Sequence, residues 1–205
     1  GDVVVVQSPF FMGGNMRQWA RDKDADARLR SLQRVAEAVR FLHEQRPSIL
    51  HRDIKPENVV FDSESPTGTP ALCDFDMSVD ALDTMASTMM RGTLLYLAPD
   101  TQPSTASDVF ALGVTLLDVL FCDADQERLR QLLLGDLRAV AAISDADLER
   151  VRSHLERRAA DTDGDADANV GELATLVRSM LSPQPRTRPD ARAVAERLGE
   201  LLHVR

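Results

Sequence analysis

Apolar side chains recur at intervals of three and four in the segment RLRSLQRVAEAVRFLHEQ, at Leu29, Leu32, Val35, Ala36, Val39 and Leu42. One face of a helix has that period, so the pattern predicts an amphipathic helix, which Pro47 stops. QERLRQLLLGDLRAV, DADLERVRSHLERRA, GELATLVRSML and DARAVAERLGELLH carry the same spacing and predict further amphipathic helices. The run DVFALGVTLLDVLF, from Asp108 to Phe121, is apolar nearly all round. It is shorter than the roughly 20 residues a membrane span requires, and it carries Asp108 and Asp118, so it predicts a helix buried in a domain. DVVVV, SIL, NVVF and ALC are short apolar runs that predict strands, and the polar SESPTGTP between the last two predicts a hairpin loop. QSPFFMGG, with its proline and paired glycines, predicts a linker, and the aperiodic stretch from Met77 to Gly92 predicts a loop. The expected fold class is mainly α, with a few short β strands near the front and no internal repeat.

Composition narrows this picture without changing it. The hydrophobic fraction of 43% in 205 residues supports a core, and with aromatics at only 4% that core must be built from Leu, Val and Ala. A net charge of −9 argues against a nucleic-acid-binding surface. Cys73 and Cys122 lie in apolar runs and read as small buried hydrophobes, which suits a reducing compartment. The opening VVVV is too short for a signal peptide and follows Asp2 rather than a basic flank. The expectation is an intracellular, cytoplasmic protein with no membrane and no nucleic-acid partner.

The chemistry concentrates in ILHRDIKPENVVFDSESPTGTPALCDFD, from Ile49 to Asp76. Phosphoryl transfer needs an oriented hydroxyl, screened phosphate charge and held Mg²⁺ rather than a covalent protein group. HRDIKPEN followed by DFD resembles the catalytic loop and metal loop of the eukaryotic-type protein kinases. His51, Arg52, Asp53, Lys55 and Asn58 fill the family pattern H-R-D-x-K-x-x-x-N one by one. The resemblance implies that Asp53 accepts or orients the substrate hydroxyl proton and that Lys55 steadies the γ-phosphate of ATP. It implies that Asn58 and Asp74 hold Mg²⁺, that Arg52 pairs with a phosphate on the activation loop, and that His51 is a structural strut.

Three further stretches follow in the family's order. GTLLYLAPD, from Gly92 to Asp100, resembles the end of the activation segment. SDVFALGVTLL resembles the central helix, with Asp108 as its anchor to the catalytic loop. MLSPQPRTRPDARAVAERL resembles the closing helices, with Arg188 as partner to the acidic residue at position 100. VVVVQSPFFMGGNMRQWA resembles the last small-lobe strand, the hinge and the first large-lobe helix. The resemblance therefore implies residues 1–20 as the end of the small lobe and its hinge, and residues 21–205 as a large lobe of an α+β kinase-like fold. Lys55, Pro56 and Glu57 resemble the serine/threonine type, and Thr93 is placed to bond Lys55 and Asp53. Thr84, Ser87 and Thr88 are candidate phosphate acceptors opposite Arg52. The implied partner is a protein substrate.

Departures from the family pattern set further expectations. The glycine-rich loop, strand lysine and partner glutamate would precede Asp2, so the segment reads as a large lobe without its small lobe, inactive by itself. Asp76 stands where the family has glycine, adding a carboxylate beside the metal loop that either adds a metal ligand or repels the phosphates and weakens ATP binding. Asp100 replaces the usual glutamate, which predicts a weaker or water-bridged pair with Arg188. A degenerate small lobe would make the parent a pseudokinase scaffold, an alternative of a different class. DTDGDADANVGE offers oxygen ligands at EF-hand spacing through Asp161, Asp163, Asp165, Asp167, Asn169 and Glu172. Ala166 and Ala168 break that pattern, and an acidic solvated loop is the plainer reading. His43 and His203, on amphipathic helices, read as surface or packing groups without metal-ligand spacing.

Overall fold

An aspartate starts the helix that organises the fold. In the computed structural model, which describes residues 9–75, 79–80, 96–120 and 166–203, helix α2 spans Ala25–His43. The Asp24 side chain accepts the Ala27 N–H at 2.7 Å, which satisfies one of the amides left over at a helix start. That cap puts the start at Ala25, ahead of the first periodic apolar residue Leu29, while Arg40 and His43 sit favourably in the last turn. Ala27, Leu32, Val35, Ala36 and Val39 are buried along one face. A short helix α1, Met16–Trp19, precedes it.

Helix α3, Thr105–Leu120, is buried at every position from Asp108 onward, as its all-round apolarity predicts. Thr115 within it returns its hydroxyl to the Ala111 carbonyl at 2.9 Å. Helices α4, Ala166–Met180, and α5, Ala191–His203, complete the described helices. The α2 helix packs on α5 and α3, and α4 packs on both α3 and α5. At Gly113 a Cβ would lie 3.0 Å from Met180 Cβ, so the missing side chain is what lets α3 approach the end of α4 this closely.

The strands are short. Strands β2, Val59–Phe61, and β3, Pro70–Leu72, pair antiparallel with Val59 opposite Leu72. Strand β1, Ile49–Leu50, pairs with β4, Val79–Asp80, inside the stretch predicted as loop; two residues are too few to show a period. The predicted linker is also tied to the sheet, since Gly13 N–H bonds Phe61 O and Phe61 N–H bonds Gly14 O, both at 2.9 Å. Trp19 then stacks on Phe61 with ring centroids 4.1 Å apart. The predicted strand at 2–6 and the two predicted helices between 126 and 159 lie outside the described residues.

Candidate active site

Residues 51–58 connect β1 to β2, and α3 holds their shape from below. Asp108, with its side chain 2% exposed, accepts His51 N–H through Oδ2 and Arg52 N–H through Oδ1, each at 2.8 Å. His43 Nε2 lies 3.0 Å from the same Oδ2. Of the two expected places for His43, surface or packing, the structure shows packing into this anchor, with the side chain 9% exposed. The signal was its position four residues after Val39, on the same inward helix face. Arg52 is held at φ 67°, a left-handed conformation that costs a non-glycine residue about 1–2 kcal/mol, so the loop is clamped against its own strain.

His51 is fully buried, and that burial pushes its imidazole below the ordinary histidine range. The neutral ring accepts Asp53 N–H on Nδ1 at 3.3 Å and meets the Phe75 ring at a centroid distance of 4.9 Å. Asp53 in turn has two unlike oxygens. Its Oδ2 accepts Lys55 Nζ at 2.6 Å and Asn58 Nδ2 at 2.8 Å, and Asn58 Nδ2 also bonds the Asp53 carbonyl at 2.9 Å. Its Oδ1 is buried and has no donor among the described residues. A buried carboxylate oxygen left without a donor is costly unless a ligand supplies one.

Strand register brings Cys73 and Asp74 to the same place. Cys73 N–H donates to Asn58 O at 2.9 Å, continuing the β3–β2 pairing, so Asp74 follows directly beside Asn58. Asp74 is exposed and has φ 65°, a region aspartate tolerates better than most residues. Cys73 is half-buried rather than fully buried, and burial with the Asp74 charge pushes its thiol up. The described residues hold no group of three or more His, Cys, Asp or Glu side chains that could bind a metal. One carboxylate and one amide oxygen instead match the sparse protein ligation of Mg²⁺, which takes its remaining oxygens from water and substrate phosphate.

The pair at positions 100 and 188 is direct despite the shortened side chain. Arg188 Nη1 and Nη2 reach the two Asp100 oxygens at 2.8 and 2.7 Å, a direct forked pair with no bridging water required. The Ser182 and Ala106 carbonyls at 2.8 and 2.9 Å and the Phe110 ring at 4.9 Å carry the guanidinium to the shorter aspartate.

A second polar cluster has no sequence spacing to announce it, because its members come from four elements. Arg17 of α1 donates through Nε to Glu57, in the turn Pro56–Asn58. Its Nη2 reaches Asp118 of α3 at 2.7 Å and the Tyr96 hydroxyl at 2.8 Å, and Tyr96 donates to Asp118 at 2.5 Å. Burial first, then the Asp118 charge, push the Tyr96 phenol far up. For Arg17 burial opposes protonation, but the bonds to Glu57 and Asp118 outweigh it.

Asp76, Thr84, Ser87, Thr88 and Thr93 lie outside the described residues, as do positions 161–165 of the acidic stretch. The rest of that stretch departs from an EF-hand loop: α4 begins at Ala166, so the backbone is helical where the loop would have to wrap a cation. No helix among the described residues is long and apolar enough to cross a membrane.

Residues 2–197 match the family model described as "Protein kinase domain". The chain is 32% identical over 192 residues to the serine/threonine-protein kinase PBL13 of Arabidopsis thaliana, covering 85% of this chain and 36% of that protein. It is 39% identical over 111 residues to the MAP kinase kinase MKK1/SSP32 of Saccharomyces cerevisiae, covering 52% of this chain and 19% of that protein. A calcium/calmodulin-regulated receptor-like kinase of Arabidopsis thaliana is 29% identical over 177 residues, covering 83% of this chain and 38% of that protein. The chain thus spans well under half the length of these relatives.

Proposed function

We propose that this chain, which belongs to the protein kinase family, carries the phosphotransfer loop of a serine/threonine kinase, with Asp53 receiving the acceptor hydroxyl. The observation that carries the reading is the asymmetry of the Asp53 carboxylate. Oδ2 is fixed by Lys55 and Asn58, while Oδ1 is buried without a donor among the described residues. A substrate hydroxyl is the donor that suits it. As the hydroxyl oxygen bonds the γ-phosphorus of ATP and the bond to the ADP oxygen breaks, the hydroxyl proton passes to Asp53. Lys55, 2.6 Å from the carboxylate, carries positive charge where the transferring phosphoryl group arrives.

Asn58 and Asp74 are the residues that would hold Mg²⁺, which when bound neutralises phosphate charge. Both Asn58 amide contacts run to Asp53, which leaves its carbonyl oxygen as the end suited to a hard cation. Arg52, Thr93 and the acceptors Thr84, Ser87 and Thr88 keep their proposed roles in activation-loop control and substrate contact. Asp76 is proposed to weaken nucleotide binding by repulsion, so Asp76→Gly in the full-length protein raises nucleotide affinity.

The test is phosphate transfer from labelled ATP to serine/threonine peptides by the full-length protein. Asp53→Asn lowers the rate about 10²–10⁴-fold while nucleotide affinity stays about constant. Transfer that survives the substitution overturns the reading. Nucleotide binding without transfer by the wild type favours the pseudokinase scaffold, the alternative that a degenerate small lobe would produce.

A further inference from the structure

Asn58 and Asp74, the two residues proposed to hold Mg²⁺, are placed by different means. The Asn58 side chain is tied to Asp53 by hydrogen bonds of 2.9 and 2.8 Å. The exposed Asp74 side chain makes no hydrogen bond among the described residues. Its place is therefore the place of the strand that leads to it. Strand β3 lies on β2 with Val59 opposite Leu72, and Cys73 N–H donates to Asn58 O at 2.9 Å. Whatever fixes this hairpin fixes Asp74. Strands of three residues each do not hold such a hairpin by themselves.

Trp19, at the end of α1, grips the hairpin away from Asp74. Its ring lies parallel to Phe61 within 6°, with centroids 4.1 Å apart, and both side chains are buried. Its Nε1–H donates to Ser65 O at 3.1 Å. Ser65 O also accepts Gly68 N–H at 2.9 Å, so the indole bond reaches the turn that closes the hairpin rather than a strand. Most of that turn, from Asp62 to Thr69, is exposed. A buried indole thus ties an otherwise solvated turn to the core. The ring is itself held from the helix that carries it, with Lys23 Nζ 5.5 Å from its centroid.

We infer that Trp19 is a positioning residue: by holding the hairpin at Phe61 and at its turn, it sets where the Asp74 carboxylate stands relative to Asn58 and Asp53. This deepens the kinase reading and rests on it for Asp74 as a ligand of Mg²⁺. Mg²⁺ demands oxygen at about 2.0–2.1 Å in near-octahedral geometry, so a strand that shifts weakens the site without removing a ligand.

The experiment uses the full-length protein with ADP, and Mn²⁺, which takes the same oxygen ligands, as the probe read by its paramagnetic resonance. Trp19→Leu keeps an apolar side chain but loses the stack and the N–H, and the Kd of Mn²⁺ rises about tenfold. Trp19→Phe keeps a ring but loses the N–H, and the Kd rises about threefold, the worth of one ordinary hydrogen bond. In phosphate transfer the half-saturating Mg²⁺ concentration rises in step, while kcat at saturating Mg²⁺ stays within about twofold of the wild type. Hydrogen exchange at the Cys73 amide accelerates in Trp19→Leu, which reads the attachment with no metal present. A kcat that falls while the Kd of Mn²⁺ is unchanged shows a merely structural role and overturns the inference. Asp74→Asn separates the two readings. If it binds Mn²⁺ as the wild type does, Asp74 is no ligand and the underlying reading falls. If it binds weakly while both Trp19 variants bind normally, the role of Trp19 alone is overturned. Where circular dichroism shows Trp19→Leu unfolded, Trp19→Phe decides by itself, and an unchanged Kd overturns the inference.

Discussion

Replacing Asp108 tests the anchor on which the loop 51–58 depends. Its buried carboxylate accepts two backbone N–H groups at 2.8 Å and faces His43 Nε2 at 3.0 Å. A hydrogen bond to a charged group contributes about 1.5–3 kcal/mol, and an orphaned buried donor costs a similar amount. Asp108→Ala strands two amides together, so the expected loss is about 3–6 kcal/mol, a large share of a typical domain stability of about 5–15 kcal/mol. Asp108→Asn keeps one acceptor but turns an NH₂ toward the remaining donor, so about 2–3 kcal/mol is expected. Urea unfolding followed by the fluorescence of Trp19, the chain's single tryptophan, reads the difference. With a slope of about 2 kcal/mol/M, the midpoint falls about 1–1.5 M for Asn and about 1.5–3 M for Ala. Hydrogen exchange at the His51 and Arg52 amides accelerates in both variants, and the strained φ of Arg52 relaxes. A midpoint shift under about 0.5 M for Asp108→Ala, with unchanged exchange at those amides, refutes the anchor.

Other expectations concern pH, ion pairing and packing. Burial holds His51 below the ordinary histidine value of 6.5, so the unfolded chain binds the extra proton first as pH falls. The His51 contribution to stability is thus intact above 6.5 and is lost as pH drops from there toward the folded value. His51→Gln flattens the dependence of the urea midpoint on pH between about 7.5 and 5.5; an unchanged slope excludes His51 as its source. Arg188→Lys loses the fork that satisfies both Asp100 oxygens and costs about 2–3 kcal/mol in the same assay, where a neutral result counts against the pair. Gly13→Ala places a Cβ 2.3 Å from Ser63 O and 2.7 Å from Phe61 Cβ, so thermal unfolding moves down by about 5 °C or more. An unshifted melting temperature shows that the hairpin yields there at no cost.

The sequence by itself determined the elements whose causes are local. Three-and-four spacing marks α2, α4 and α5, all-round apolarity marks α3, and the joint order of His51, Arg52, Asp53, Lys55, Asn58 and Asp74 marks the site. Those features are written along one segment, where a period or a spacing is visible. Two-residue pairings such as β1 with β4 are not, because register needs a partner strand. Only the tertiary structure decided that His43 supports Asp108, that Asp100 is long enough for Arg188, and which oxygen of Asp53 stays without a donor. It alone assembled Arg17, Glu57, Tyr96 and Asp118, residues up to 101 positions apart, because burial forces charges from separate elements to find one another.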